Sequence, residues 1–263
     1  MNRIENPAAG TANLQLRQVG KPLVRTDSPT KVYGTAVYAG DLTMPGMLCA
    51  AVLHSDRASA LLRHVDTSRA EALAGVHCVL TAADLPPSQG VMTDMPGQTG
   101  GLTKNTKQPI LAKDRVRFCG EPIALVAAEN AAIAEQALRL IDIEYEDLDG
   151  IYDPFDALAP GAPIIFGDDN VVASYKVRKG DIEKGFAEAD FIVENTFTTQ
   201  YQEQAFLEPE AALAWVDEHE VLNIRSSTQV VEHYRAVADA IGLPHNRVRL
   251  RAEFVGGGFG GKE

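Results

Sequence analysis

The residues that most constrain this chain are its last eight, Gly256-Gly257-Gly258-Phe259-Gly260-Gly261-Lys262-Glu263. Five are glycine, and they follow directly on an alternating run, Val248–Val255, that predicts a strand. Glycine tolerates positive φ and lets other groups approach the backbone closely. A strand feeding such a turn presents bare N–H groups that suit anionic oxygens. Two nucleotide motifs fit the letters. Gly256-x-Gly258-x-x-Gly261 matches the dinucleotide fingerprint, but no helix and no acidic residue about 20 positions on follow within the 263 residues. Gly256-x-x-x-x-Gly261-Lys262 approaches the P-loop, but Glu263 stands where a magnesium-binding Ser or Thr belongs, and its carboxylate would repel phosphates. A plain tight connection is the third reading of the same letters.

Upstream, short apolar runs between turn signals predict strands at Met47–Leu53, Val76–Leu80, Ile123–Ala127 and Ile141–Tyr145. Asp66-Thr67-Ser68 and Asn130 predict helix starts. Residues 86–109, rich in Gly, Pro, Thr and Gln, predict a long loop, and residues 1–18 a mobile N-terminal arm. Pro154, Pro160 and Pro163 mark a boundary near 150–165. Beyond it the pattern predicts a helix over Asp181–Ala189 and a long strand over Phe191–Tyr201. A hairpin follows from Ala211–Val216 and Val221–Arg225, then a helix over Gln229–Ile241 stopped by Gly242.

Lys and Arg number 24 against 36 Asp and Glu, a net charge of −12, which argues against nucleic acid as a partner. No apolar run reaches the roughly 18 residues of a membrane span, so no membrane partner is expected. Cys49, Cys78 and Cys119 are a poor disulfide framework, and Met1–Asn6 shows no signal-peptide apolar region. The expectation is a reduced, cytoplasmic location. The six histidines have no ligand-like spacing, so no directly ligating metal residue is expected. Glu203 and Glu208 flank an apolar stretch, where a buried carboxylate is costly unless hydrogen-bonded.

Several segments, in order, resemble the xanthine dehydrogenase/aldehyde oxidase family of molybdenum hydroxylases. The glycine run resembles the family's molybdopterin-contacting motif. Gln202-Glu203-Gln204-Ala205-Phe206-Leu207-Glu208-Pro209-Glu210 resembles a segment that usually carries His where Gln204 stands. Ser226-Ser227-Thr228-Gln229 is similar to the family's Ser-Thr-Gln turn, and Val116-Arg117-Phe118-Cys119-Gly120-Glu121-Pro122-Ile123-Ala124 to its Gly-Glu-Pro stretch. Val19-Gly20-Lys21-Pro22 and Gly34–Asp41 also fit, so the resemblance runs from about Val19 to Glu263.

The resemblance implies an α+β fold of mixed α/β content. Residues 19–155 would form a hammerhead domain and 165–263 the incomplete N-terminal part of a molybdopterin-binding domain. It implies that Gln229, Gly258, Phe259 and Gly260 contact a molybdenum–molybdopterin cofactor in its dinucleotide form. Glu263 would bind substrate, which favours a purine such as hypoxanthine or xanthine, hydroxylated with water as the oxygen source. It places no catalytic residue here, because the family's general-base Glu lies beyond Glu263, and the chain alone would be inactive. The cysteines match no iron–sulfur spacing. The implied partners are therefore an iron–sulfur subunit with two [2Fe–2S] clusters, an FAD subunit, the remaining part of the molybdenum subunit and a small-molecule substrate. Aldehydes or other N-heterocycles as substrates, a nucleotide-binding protein, and a catalytically inactive α/β module stay open beside this reading.

Overall fold

A computed structural model describes residues 20–85, 91–92, 102–103, 108–171, 173–174 and 176–263. The arm expected over 1–18 lies outside the described residues. The chain forms two compact units, residues 1–37 and 38–263. In the first, α1 (Ser28–Val32) follows Asp27. Hydrogen bonds from Lys31 and Arg25 hold the Asp27 carboxyl down at about 2.

In the second unit the strands are β1 (Cys49–His54), β2 (Ala60–Asp66), β3 (Val76–Thr81), β4 (Val91–Met92), β5 (Leu102–Thr103), β6 (Gln108–Pro109), β7 (Arg115–Val116), β8 (Pro122–Ala128), β9 (Asp142–Asp147), β10 (Ala173–Ser174), β11 (Ala212–Val216), β12 (Leu222–Ser226) and β13 (Val248–Arg251). The helices are α2 (Ser68–Glu71), α3 (Ala131–Leu138), α4 (Pro154–Ala157), α5 (Ile182–Ala187) and α6 (Tyr234–Ile241).

β8 is apolar without alternation, and both its faces are covered. It lies between β1 and β3, antiparallel to each. One face of β8 carries Ala124, Val126 and Ala128, which pack with Ala134 and Ala137 of α3 and with Ala70 of α2. Helix α3 starts where Asn130 Oδ1 accepts the Ile133 N–H at 3.0 Å, an ordinary N-cap. Small alanines let the helix sit close on the sheet. Ile123, which precedes Ala124 in β8, joins Ala60, Ala112 and Val116, so β8 also supports the second sheet, β7-β2-β9. Just before β8, fully buried Glu121 is held by the Arg117 guanidinium at 3.1 Å.

The third sheet has the order β11-β12-β13. β11 and β12 form the expected antiparallel hairpin, while β13 runs parallel to β12 after a crossover through α6. The helix buries Ala236, Ala238 and Ala240 and ends at Gly242, whose φ of +73° is cheap only for glycine.

Four expectations need correction. Phe191–Tyr201 forms no strand: Phe191 is 91% exposed and Tyr201 96%, and no ladder partner stands beside the segment among the described residues. Alternation prepares a segment for a sheet but cannot supply the neighbour whose N–H and C=O groups complete it. The strand expected over Val248–Val255 stops at Arg251, because its partner β12 ends at Ser226, where Ser227 turns to bond Ala211. The helix expected from Gln229 begins only at Tyr234, after a 3₁₀ turn over Val231–His233, which leaves Gln229 outside it. Within the expected loop over 86–109, β4 pairs with β6 and β5 with β10.

Candidate functional site

The glycine run after β13 folds back onto the turn after β12 and onto the segment before β11. The turn is tied first. Ser227 Oγ accepts the Ala211 N–H at 3.0 Å, and the Ser227 N–H donates to Ala211 O at 3.1 Å. Buried Thr228 then donates through Oγ1 to Lys262 O at 3.1 Å, and the Gln229 N–H donates to the same oxygen at 2.9 Å. Finally the Gln229 side chain crosses the loop: Oε1 accepts the Gly260 N–H at 2.9 Å and the Lys262 N–H at 3.4 Å. With Oε1 committed to N–H groups, Nε2 is the donor that remains for a ligand.

The glycines are required by this packing. A Cβ on Gly258 would overlap Gln229 Oε1, and one on Gly256 would lie 2.6 Å from Glu208 Cβ. Phe259 adopts φ of +52° and is exposed. A bulky residue in the left-handed region marks a backbone held by its surroundings. Among the described residues the N–H groups of Gly257, Gly258 and Phe259 have no hydrogen-bond partner. They form a short series of donors of the kind that suits anionic oxygens.

An ion pair lies beneath the run. Lys262 has only 1% of its side chain exposed and Glu208 10%. Lys262 Nζ donates to Glu208 Oε2 at 2.9 Å and to Glu208 O at 2.8 Å, and sits 4.5 Å from the Phe206 ring centroid. Glu208 Oε2 also accepts the Gly256 N–H at 2.6 Å. Its other oxygen, Oε1, is buried without a partner among the described residues. Such an oxygen carries a desolvation cost until a donor reaches it.

The structure therefore brings Gln229, Gly258, Phe259 and Gly260 together. Glu263 stands apart from that contact, on the wall of a cavity of about 530 Å³ that Thr228, His233 and Lys262 also line. Among the described residues no group of three or more His, Cys, Asp or Glu side chains converges where a metal could be held. No helix among them is long and apolar enough to cross a membrane. Sequence reasoning missed the Glu208–Lys262 pair. The signal lay in a carboxylate among apolar neighbours, for which Lys262 is the cation that the fold delivers 54 residues later.

Gly258→Ala tests the clamp directly. The new methyl group must push the Gln229 carboxamide away, since Gln229 is the softer partner, and overpacking of this kind costs about 1–3 kcal/mol. Amide exchange at Gly260 is expected to quicken while exchange in β8 stays as it was. Unchanged protection at Gly260 would show that Gln229 does not hold the run.

Comparison with known proteins follows these parts. Residues 33–149 match the family model described as the aldehyde oxidase and xanthine dehydrogenase a/b hammerhead domain, and residues 166–263 the molybdopterin cofactor-binding domain. The nicotinate dehydrogenase large molybdopterin subunit of Eubacterium barkeri is 36% identical over 245 residues, 93% of this chain and 55% of that protein. A probable xanthine dehydrogenase subunit of Bacillus subtilis is 34% identical over 247 residues, 93% of this chain and 32% of that protein. The aldehyde oxidoreductase of Desulfovibrio gigas superposes with a TM-score of 0.80 at 30% identity, covering 90% of this chain and 27% of that one. The chain thus spans about half the length of the first relative and about a third of the second. With both domain models matched in order and the same fold found in a solved relative, the chain belongs to the xanthine dehydrogenase/aldehyde oxidase family of molybdenum hydroxylases and carries the hammerhead domain and the start of the molybdopterin-binding domain.

Proposed function

We propose that this chain is the N-terminal, cofactor-holding portion of the molybdenum subunit of a hydroxylase that oxidises purines such as hypoxanthine and xanthine, with water as the oxygen source. The observation that carries the substrate reading is Glu263, a carboxylate on the wall of the cavity beside the glycine run. A purine offers ring N–H donors that a carboxylate accepts, whereas an aldehyde offers none.

The residues present fit a molybdenum–molybdopterin group. The N–H groups of Gly257, Gly258 and Phe259 and the Nε2 end of Gln229, which have no hydrogen-bond partner among the described residues, are donors, and such a cofactor is rich in acceptor oxygens. Buried Glu208 Oε1 is an acceptor that lacks its donor among the described residues. When bound, the group supplies the two-electron redox change. The chain's own part is to hold and orient: Gln229 and the glycine run grip the cofactor, the Glu208–Lys262 pair keeps the run in shape, and Glu263 positions the substrate. In this reading the cofactor is the dinucleotide form, and the general base comes from the remaining part of the molybdenum subunit. Electrons leave through an iron–sulfur subunit and an FAD subunit, the assembly is cytoplasmic, and residues 1–263 alone are inactive. A domain boundary near residues 150–165 belongs to the same proposal.

The test is Glu263→Val in the complete molybdenum subunit assembled with its partners, with kcat/KM measured for xanthine and for an aromatic aldehyde. Loss of one polar contact to a buried substrate costs about 1–3 kcal/mol, or roughly 5- to 150-fold in kcat/KM for xanthine. The aldehyde value is expected to hold or rise. A ratio that does not move would remove the purine assignment and leave aldehydes or another N-heterocycle as the substrate.

A further inference from the structure

The cavity at the glycine run draws on Ala212, Ile224 and Leu250, on one face of the β11-β12-β13 sheet. The alternate positions carry a different chemistry. The register sets Trp215 opposite Asn223, Asn223 beside Arg249, and Arg225 beside Arg251. Laddered partners share a face, so these five side chains stand together. With Asp217 they line a second cavity of about 270 Å³.

Three guanidinium groups share this cavity in a chain whose net charge is −12. Among the described residues only Arg225 of the three has a carboxylate partner, Glu253. The Arg249 guanidinium touches the neutral Asn223 Oδ1 at 3.4 Å. The Arg251 guanidinium has no hydrogen bond or ion pair among the described residues. Asp217 is already committed: its oxygens accept Asn223 Nδ2 at 2.9 Å and the His219 and Val221 N–H groups at 3.0 Å each. Those bonds hold its carboxyl below the usual carboxylate range. Two cationic forks therefore face the cavity with no anion matched to them among the described residues.

We propose that this cavity binds the phosphate group of a small molecule, at a site separate from the cofactor-holding run on the opposite face. A guanidinium offers a pair of parallel N–H donors and engages two acceptor oxygens at once. A carboxylate is exhausted by one such fork. A tetrahedral phosphate has oxygens for both Arg249 and Arg251. The Trp215 indole supplies a flat apolar wall for whatever the phosphate is attached to.

Trp215 is the one tryptophan of the chain, so its fluorescence reports on this cavity alone. Titration of the 263-residue chain with inorganic pyrophosphate, and separately with inorganic phosphate, is expected to give a saturable change that weakens as salt is added. Arg249→Gln and Arg251→Gln should each weaken binding roughly tenfold or more, since each removes a charge-assisted pair. Arg251→Lys should fall between, because it keeps the charge and loses the fork. Arg63→Gln, in β2 and paired with Glu146, is the control and should bind as the parent does. Absence of saturation up to about 10 mM, a floor for any specific anion site, would overturn the proposal. So would equal affinity for acetate, or variants that bind like the parent. None of these readouts depends on molybdenum or on Glu263, so the site and the proposed function fail or stand separately.

Discussion

Glu208→Ala is expected to lower the unfolding free energy of the unit spanning residues 38–263 by about 3–5 kcal/mol, the cost of breaking a buried ion pair from one side. The substitution strands the Lys262 ammonium, whose side chain is only 1% exposed and cannot reach water without unpacking the glycine run. It also removes the acceptor of the Gly256 N–H. The remaining partners of Lys262 Nζ are Glu208 O and the Phe206 ring, which solvate an ammonium only in part. Against a total stability of about 5–15 kcal/mol, this is a large share. Urea unfolding measures it as a fall in the midpoint at constant slope. Glu208→Ala combined with Lys262→Met should recover part of the loss, because the stranded charge is then gone. A loss under about 1 kcal/mol for Glu208→Ala would show that the pair behaves as a solvated surface contact.

Glu121→Ala is expected to cost about 3 kcal/mol, the low end of the same range. Glu121 is fully buried, but its partner Arg117 keeps 21% of its side chain exposed and can swing its guanidinium towards water. The backbone loses more than the ion pair. The Arg117 N–H donates to Glu121 Oε2, and that bond shapes the turn in which the Gly120 N–H donates to Ser55 O at 2.8 Å. Exchange at Gly120 should therefore rise along with the loss of stability. If Glu121→Ala proves as costly as Glu208→Ala, the exposure of Arg117 is not what separates the two sites.

The hammerhead elements were legible because each carries its signal within a few residues. β8 is an uninterrupted apolar run, α3 has its Asn130 cap, and β9 alternates acid with apolar residues. The hairpin of β11 and β12 was legible for the same reason, its loop being short and polar. Phe191–Tyr201 shows the limit of that reasoning. Its alternation is as clean as that of β9, yet β9 has β2 beside it and this segment has no ladder partner among the described residues.

The sequence by itself determined where the glycines stand and that Gln229 closes a Ser-Thr-Gln turn. Those are local facts, set by residue type and order. Tertiary structure decided that the two meet. Gln229 reaches Gly260 across 31 residues only because α6 returns the chain to lay β13 parallel to β12. It also decided that Glu208 and Lys262, 54 residues apart, bury their charges against each other. It gathered Arg225, Arg249 and Arg251 on one sheet face, since a parallel register cannot be read from either strand alone. Spacing along the chain sets which groups a turn or strand presents. Which charges share a low-dielectric space depends on strand register and helix crossover, and these are settled only when the core packs.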